Sequence, residues 1–196
     1  MTRTMLVRTA VIALAVFGLA ACAPLITQNP GGTISPANVV EMDGNERVML
    51  KGADVVAYFD QSAYVQGSAS IKSTFEKITF YFATLEHKSM FDKEPMKYVP
   101  QFGGYCANGL AYGIPWGGDA DTWRIFDGKL FIFGGATSRD AFLLDVSKNR
   151  QYADKYWNEE VKGNNPLVQR AKRMAFKVPH YKSDAEVAAE LAKAKR

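Results

Sequence analysis

The chain has 196 residues, enough for one domain with a tail and a tight fit for two. Hydrophobic residues at 47% and charged residues at 22% exclude wholesale disorder, and two cysteines exclude a disulfide-dense scaffold or a Cys-rich metal cluster. A formal net charge of +4 carries no strong nucleic-acid signal.

The N-terminus reads as an export address. Arg3 and Arg8 precede an uncharged apolar run over residues 9–19, too short to span a bilayer but suited to a secretory signal. Leu19, Ala20, Ala21 and Cys22 follow, and this small-residue cleavage site ending in cysteine resembles the bacterial lipobox. That resemblance implies a signal peptide over residues 1–21, acylation of Cys22 and a stable anchor in the bilayer from several acyl chains. The expected location is the periplasmic side of the membrane. Ala23 after the cysteine, in place of Asp, favours the outer membrane. With Cys22 acylated, Cys106 is the one remaining thiol in an oxidising compartment.

Residues 22–46 hold Pro24, Pro30, Gly31, Gly32 and Pro36, and the reading is a flexible tether. The domain then spans residues 47–166. Val48, Leu50, Val56 and Tyr58 predict short strand pieces broken by Gly52. Ile78 to Phe82 predicts a strand, and Thr84 is placed to cap a helix running to about Phe91, with a further turn opened by Pro95. Asp127-Gly128 between two β-rich runs predicts a hairpin with a type I′ turn. Thr137 or Ser138 is placed to cap a helix through Leu144 and Asp145, and more helix is expected through Tyr156 and Trp157, stopping near Gly163. Asn165 and Pro166 open another, and Ser183 a last one. Strands followed by helices predict an α+β fold: a small antiparallel sheet, helices packed around it and a helical C-terminal part.

Charge is uneven along the mature chain. Residues 170–196 carry 8 basic and 3 acidic side chains, against 14 and 17 for residues 22–169. The basic helical tail, residues 167–196, has two readings: contact of residues 170–196 with anionic headgroups, or a solvated tail. Its basic residues do not form an aromatic-studded face, so no nucleic-acid partner is expected. No motif names a protein partner.

Three segments in order carry a further resemblance: DVVAYF from Asp54, FYF from Phe80 leading to FDKEPMKY from Phe91, and QFGGYCA from Gln101. Together, over residues 50–166, they resemble the YHS-domain proteins, in particular an exported lipoprotein subgroup with a Gly-Gly-Tyr-Cys segment. The resemblance implies a small α+β module with a helix after the Tyr-Phe strand. Some YHS modules carry a Cys-x-x-x-Cys pair at that point; here Ala83 and His87 stand there, so that soft metal site is not encoded. The resemblance implies that some relatives carry selenocysteine at the Cys106 position, which directs attention to that thiol.

The candidate ligand-binding residues are therefore Gly103, Gly104, Tyr105, Cys106 and Trp116. Gly103 and Gly104 permit close backbone approach, and Tyr105 and Tyr112 are placed to wall a pocket. A thiol there suits Cu(I), the one cofactor considered, with Cys106 and His87 as ligands, or redox chemistry. The opposite reading is a buried, inert cysteine. For His87 the alternatives are pairing with Cys106 or facing solvent between Glu86 and Lys88. Met90 and Met96 read as packing residues. Trp116 in its Gly-Pro-rich loop is either a lid over Cys106 or folded onto the core. No Gly-rich phosphate loop and no nucleophile–base motif is present. The leading expectation is a membrane-tethered module, not an enzyme, that binds a small ligand or soft metal at Cys106. The alternatives are a thiol-dependent redox protein and a structural or interaction module without chemistry.

Overall fold

The computed structural model describes residues 28, 31–42, 44 and 46–194. The expected signal peptide, residues 1–21, and the expected lipidation site Cys22 lie outside the described residues. The fold is α+β, with a four-stranded sheet, a two-stranded hairpin and eight helices among the described residues.

Strands β1 (Val39–Met42), β2 (Glu46–Met49), β3 (Ser68–Phe75) and β4 (Ile78–Phe82) form the larger sheet in the order β1-β2-β4-β3. The β1/β2 and β3/β4 pairs are antiparallel, but β2 runs parallel to β4 where Val48 meets Thr79, so the sheet is mixed where an antiparallel one was expected. The strand expected over Ile78 to Phe82 is present as β4, and all five of its residues are buried, which accounts for how weakly its sequence alternates. Strands β5 (Asp119–Phe126) and β6 (Lys129–Phe133) form the expected hairpin, with Asp127 and Gly128 both at positive φ (49° and 69°).

The run from Asp54 was expected as strand, and it instead forms helix α1 (Ala57–Asp60). The cause is local: Asp54 Oδ1 accepts the Val56 N–H at 3.0 Å and the Ala57 N–H at 3.3 Å, which turns the chain into a helical start. Helix α2 (Leu85–Lys93) begins at Thr84, whose hydroxyl accepts the His87 N–H, and α3 (Pro95–Tyr98) opens on its proline. After α4 (Ala107–Leu110) and the hairpin comes α5 (Ala136–Leu143), which starts at Gly135. Neither Thr137 nor Ser138 caps it, and Asp145 does not extend it: Asp145 caps the next helix, α6 (Val146–Tyr156). A π-helical turn (Trp157–Val161) then leads to α7 (Pro166–Ala175), capped by Asn165, and to α8 (Asp184–Ala194). Ser183 and Glu186 form a reciprocal capping box at the start of α8.

Two apolar cores share β6. Leu130 and Ile132 face the first, with Phe80, Phe82, Phe91 and Tyr58, while Phe131 and Phe133 face the second, with Phe102, Tyr105 and Phe142. The period-2 alternation of one buried strand thus serves both sides.

Within the segment expected as a tether, the described residues 31–42 are part of the domain. Ile34, Ala37 and Val39 are buried, and Asn38 Nδ2 donates to the carbonyls of Gly104 (3.1 Å) and Gly118 (3.0 Å). Pro and Gly in this stretch shape a path over the core rather than keeping the chain off it.

Glu160 in the π-helical turn ties down α7, accepting from Gln169 Nε2 at 2.8 Å, Lys172 Nζ at 3.1 Å and Arg173. Burial raises its carboxyl, but these donors prevail and hold it below the usual glutamate range. The folded state therefore binds fewer protons than the unfolded one in acid. The stabilisation is complete above the ordinary glutamate value and is lost as pH falls through the depressed one. Urea midpoints measured from neutral pH into acid should converge for wild type and Glu160→Gln; a difference that stays constant with pH would contradict the assignment.

Candidate functional site

Cys106 lies between the two cores, where its backbone bridges to Ile132 of β6. It occupies the N-cap of α4, its N–H donates to the Trp116 carbonyl at 2.9 Å, and its Sγ accepts the Gly109 N–H at 3.4 Å. Ser138, on the first turn of α5, shares a hydrogen bond of 3.0 Å with the sulfur. Gly134 lies close to this group: a Cβ there would sit 3.1 Å from the Gly117 carbonyl oxygen, a tight contact, and 3.7 Å from the sulfur, an ordinary one. Only 3% of Cys106 is exposed, and it opens into a cleft of about 450 Å³.

The cleft is walled by Tyr112, Trp116, Ser138, Tyr181 and Lys182. Trp116 packs on Gly109, where an added Cβ would meet the indole at 3.0 Å, yet it remains 42% exposed. It is therefore a cleft wall and not a core residue. Burial raises the Tyr112 hydroxyl above its ordinary value. The far side of the cleft comes from the C-terminal arm. His180 stacks on Tyr152 at 3.7 Å and donates from Nε2 to the Ala111 carbonyl, and Tyr181 packs on Tyr112 at 5.2 Å. Lys182 pairs with Glu190 at 2.5 Å on the same arm.

Of the residues expected at the site, Cys106 and Trp116 come together in this cleft, and Gly103, Gly104 and Tyr105 are not among its lining residues. Gly103 and Gly104 pack against the segment around Pro36 and against Met49 and Leu50. Tyr105 is fully buried, with its hydroxyl donating to the Ala37 carbonyl and its ionisation suppressed by burial. The glycines and this tyrosine position the chain and do not touch the cleft.

His87 does not meet Cys106, and it does not face solvent. It is 3% exposed, and its Nδ1 lies 2.7 Å from Oδ2 of the fully buried Asp54. Its Nε2 lies 3.4 Å from both Gln61 and Asp60. Its neighbours Glu86 and Lys88 are more exposed, but the helical turn carries the imidazole inward onto Asp54 and the end of α1. Met90 packs partly against the first core and Met96 is 60% exposed. Among the described residues, no group of three or more His, Cys, Asp or Glu side chains is arranged to hold a metal.

Ser138, Tyr181 and Lys182 were missed from sequence. Ser138 read as a helix cap, and the other two lie some seventy residues from Cys106 with no pattern linking them. No family model, curated protein or solved structure compared with the chain matches it.

Proposed function

We propose that the protein is an exported lipoprotein, anchored through acylated Cys22 on the periplasmic side of the outer membrane, whose YHS-like domain binds a small molecule at Cys106 without turning it over. The observation that carries this reading is the cleft itself: a thiol at its floor between aromatic walls from Trp116, Tyr112 and Tyr181. Flat apolar surface with a few placed polar groups, here Ser138 and Lys182, is the make-up of small-molecule sites. The basic stretch of residues 170–196 and the acyl anchor give the bilayer as the partner. No helix among the described residues is long and apolar enough to cross a membrane.

The donor set does not fit Cu(I). That ion prefers several soft ligands, and the sulfur's side-chain partner is a hydroxyl, while His87 is committed to Asp54. A second reading, redox use of the thiol, is favoured by the sulfur's opening onto the cleft. Peroxide would take Cys106 to a sulfenic acid with release of water. An external thiol would have to resolve it, since Cys106 is the sole cysteine among the described residues.

The test is alkylation of Cys106 by iodoacetamide in the full chain held in detergent micelles. The expected result is reaction in the folded protein, accompanied by a change in Trp116 emission. That change should be absent in Trp116→Phe. Reaction only at urea concentrations that unfold the domain would make Cys106 a packing residue and remove the binding site. Trapping of a sulfenic acid after peroxide would favour the redox reading.

A further inference from the structure

Helix α7 is turned the wrong way round for a soluble domain. Its inward side is polar. Gln169 is 5% exposed and donates to the Gly113 carbonyl (3.0 Å) and Glu160 (2.8 Å), Arg170 donates to the Pro115 carbonyl (2.7 Å), and Arg173 pairs with Glu160. Its outward side is apolar. Val168, Ala171 and Ala175 form one stripe at helical spacing with Met174 beside it, and Phe176 follows at the C-cap. Val168 is 66% exposed, Met174 60% and Phe176 73%. Surface helices normally bury such a face, and an exposed apolar patch of this kind marks a partner site.

Two observations identify the partner. Gln28 is held at the inner side of the same helix, its Oε1 accepting from Arg170 Nη2 and from the Tyr105 hydroxyl, both at 3.2 Å. It lies six residues after Cys22, a span of at most about 20 Å when extended. The face is also edged by cations: Lys172, bonded to Glu160 and 52% exposed, and Lys177, which rests over the Tyr181 ring. Apolar side chains flanked by lysines suit an anionic lipid surface. A two-fold pairing with a second copy would instead set these lysines near their own counterparts.

We infer that the outward face of α7, with Val168, Met174 and Phe176, docks into the headgroup region of an anionic bilayer and fixes the domain's orientation on the membrane. This rests on the lipid-anchor reading above. Once docked, the apolar side chains sit about 5–10 Å deep, at the acyl boundary. Helix α7 backs onto the loop that carries Trp116, so the membrane surface and the Cys106 cleft lie on either side of one short loop.

The experiment uses the full acylated chain in vesicles of phosphatidylcholine and phosphatidylglycerol, with a tryptophan placed by Phe176→Trp. Lipids brominated near the headgroup end of their chains should blue-shift the added emission and quench it at least about twofold. A reporter at the equally exposed Leu85 (73%) on α2, Leu85→Trp, should be unaffected. Water-like, unquenched emission from a chain that mass spectrometry shows to be acylated overturns the docking and leaves the anchor standing. An unquenched blue shift that grows with protein density gives the face to a second copy and also overturns it. Quenching of both reporters alike is general adsorption and overturns the assignment to α7. A chain that carries no acyl group and does not partition into vesicles removes the anchor, and the docking with it.

Discussion

Replacement of Asp54 by alanine is expected to lower the unfolding free energy by about 3–5 kcal/mol. The carboxylate is fully buried and accepts four hydrogen bonds, from the N–H groups of Val56, Ala57 and Ala83 and from the His87 ring, the last two at 2.7 Å. Alanine leaves the N–H groups of Val56 and Ala83 and Nδ1 of His87 without their acceptor, while the Ala57 N–H keeps the Asp54 carbonyl at 3.2 Å, and each such orphan carries its own desolvation cost. Asp54→Asn keeps the volume and one carbonyl acceptor and should lose less. Urea denaturation of the three proteins measures the difference. A loss below about 1 kcal/mol for the alanine variant would mean that the network is dispensable. Cys106 shares no hydrogen bond with this network, so its alkylation in folded Asp54→Asn should stay near that of wild type.

Gly103→Ala is expected to cost about 3 kcal/mol or more, and for a different reason. Gly103 sits at φ +59°, and an added Cβ would come within 2.2 Å of the Pro36 carbonyl oxygen and 3.0 Å of Ala37 Cα. Those neighbours are backbone and cannot rotate away. Relief requires the segment around Pro36 to lift, which breaks the 2.7 Å bond from the Asn38 N–H to the Gly103 carbonyl and uncovers Ala37 and Val39. Gly128→Ala separates the two contributions. Its φ is +69° but nothing lies within 4 Å of the added Cβ, so it should cost only the backbone penalty of about 1 kcal/mol. Equal midpoint shifts for the two variants would show that the close approach at Gly103 contributes nothing.

The parts of the fold that were legible in the sequence are those fixed by near neighbours. Asp127-Gly128 fixes its turn through two positive φ angles, Thr84 and Asn165 cap their helices within three residues, and Ile78 to Phe82 declares its burial by composition. What remained hidden depends on partners far along the chain. His87 looks solvent-facing between two charged residues until Asp54, 33 positions earlier, is placed beside it. The segment around Pro36 carries every mark of a linker, and it is placed in the core by partners far along the chain: the bare backbone at Gly103 and Gly104, the Gly118 carbonyl and the Tyr105 hydroxyl. Cys106 and Trp116 lie only ten positions apart, joined by the short helix α4 and the turn after it, while Tyr181 and Lys182 arrive from the C-terminal arm. For α7, the periodicity of Val168, Ala171 and Ala175 defines an apolar stripe but carries no sign; only the partners of Gln169, Arg170 and Arg173 show that it points outward.

Strand β6 presents Leu130 and Ile132 to one core and Phe131 and Phe133 to the other, so a single layer of backbone separates them. No hinge can pass through that layer without opening both cores at once, and packed interiors resist such deformation. Because Cys106 bridges to Ile132 on this strand, the floor of the cleft takes its rigidity from the centre of the molecule. Adjustment to whatever enters must then come from the rim, where Tyr181, Lys182 and Val187 stand on an arm held largely by stacked rings and a few hydrogen bonds. For the small molecule proposed above, selectivity by shape would belong to the fixed side of the cleft, and the rate of entry and exit to the arm.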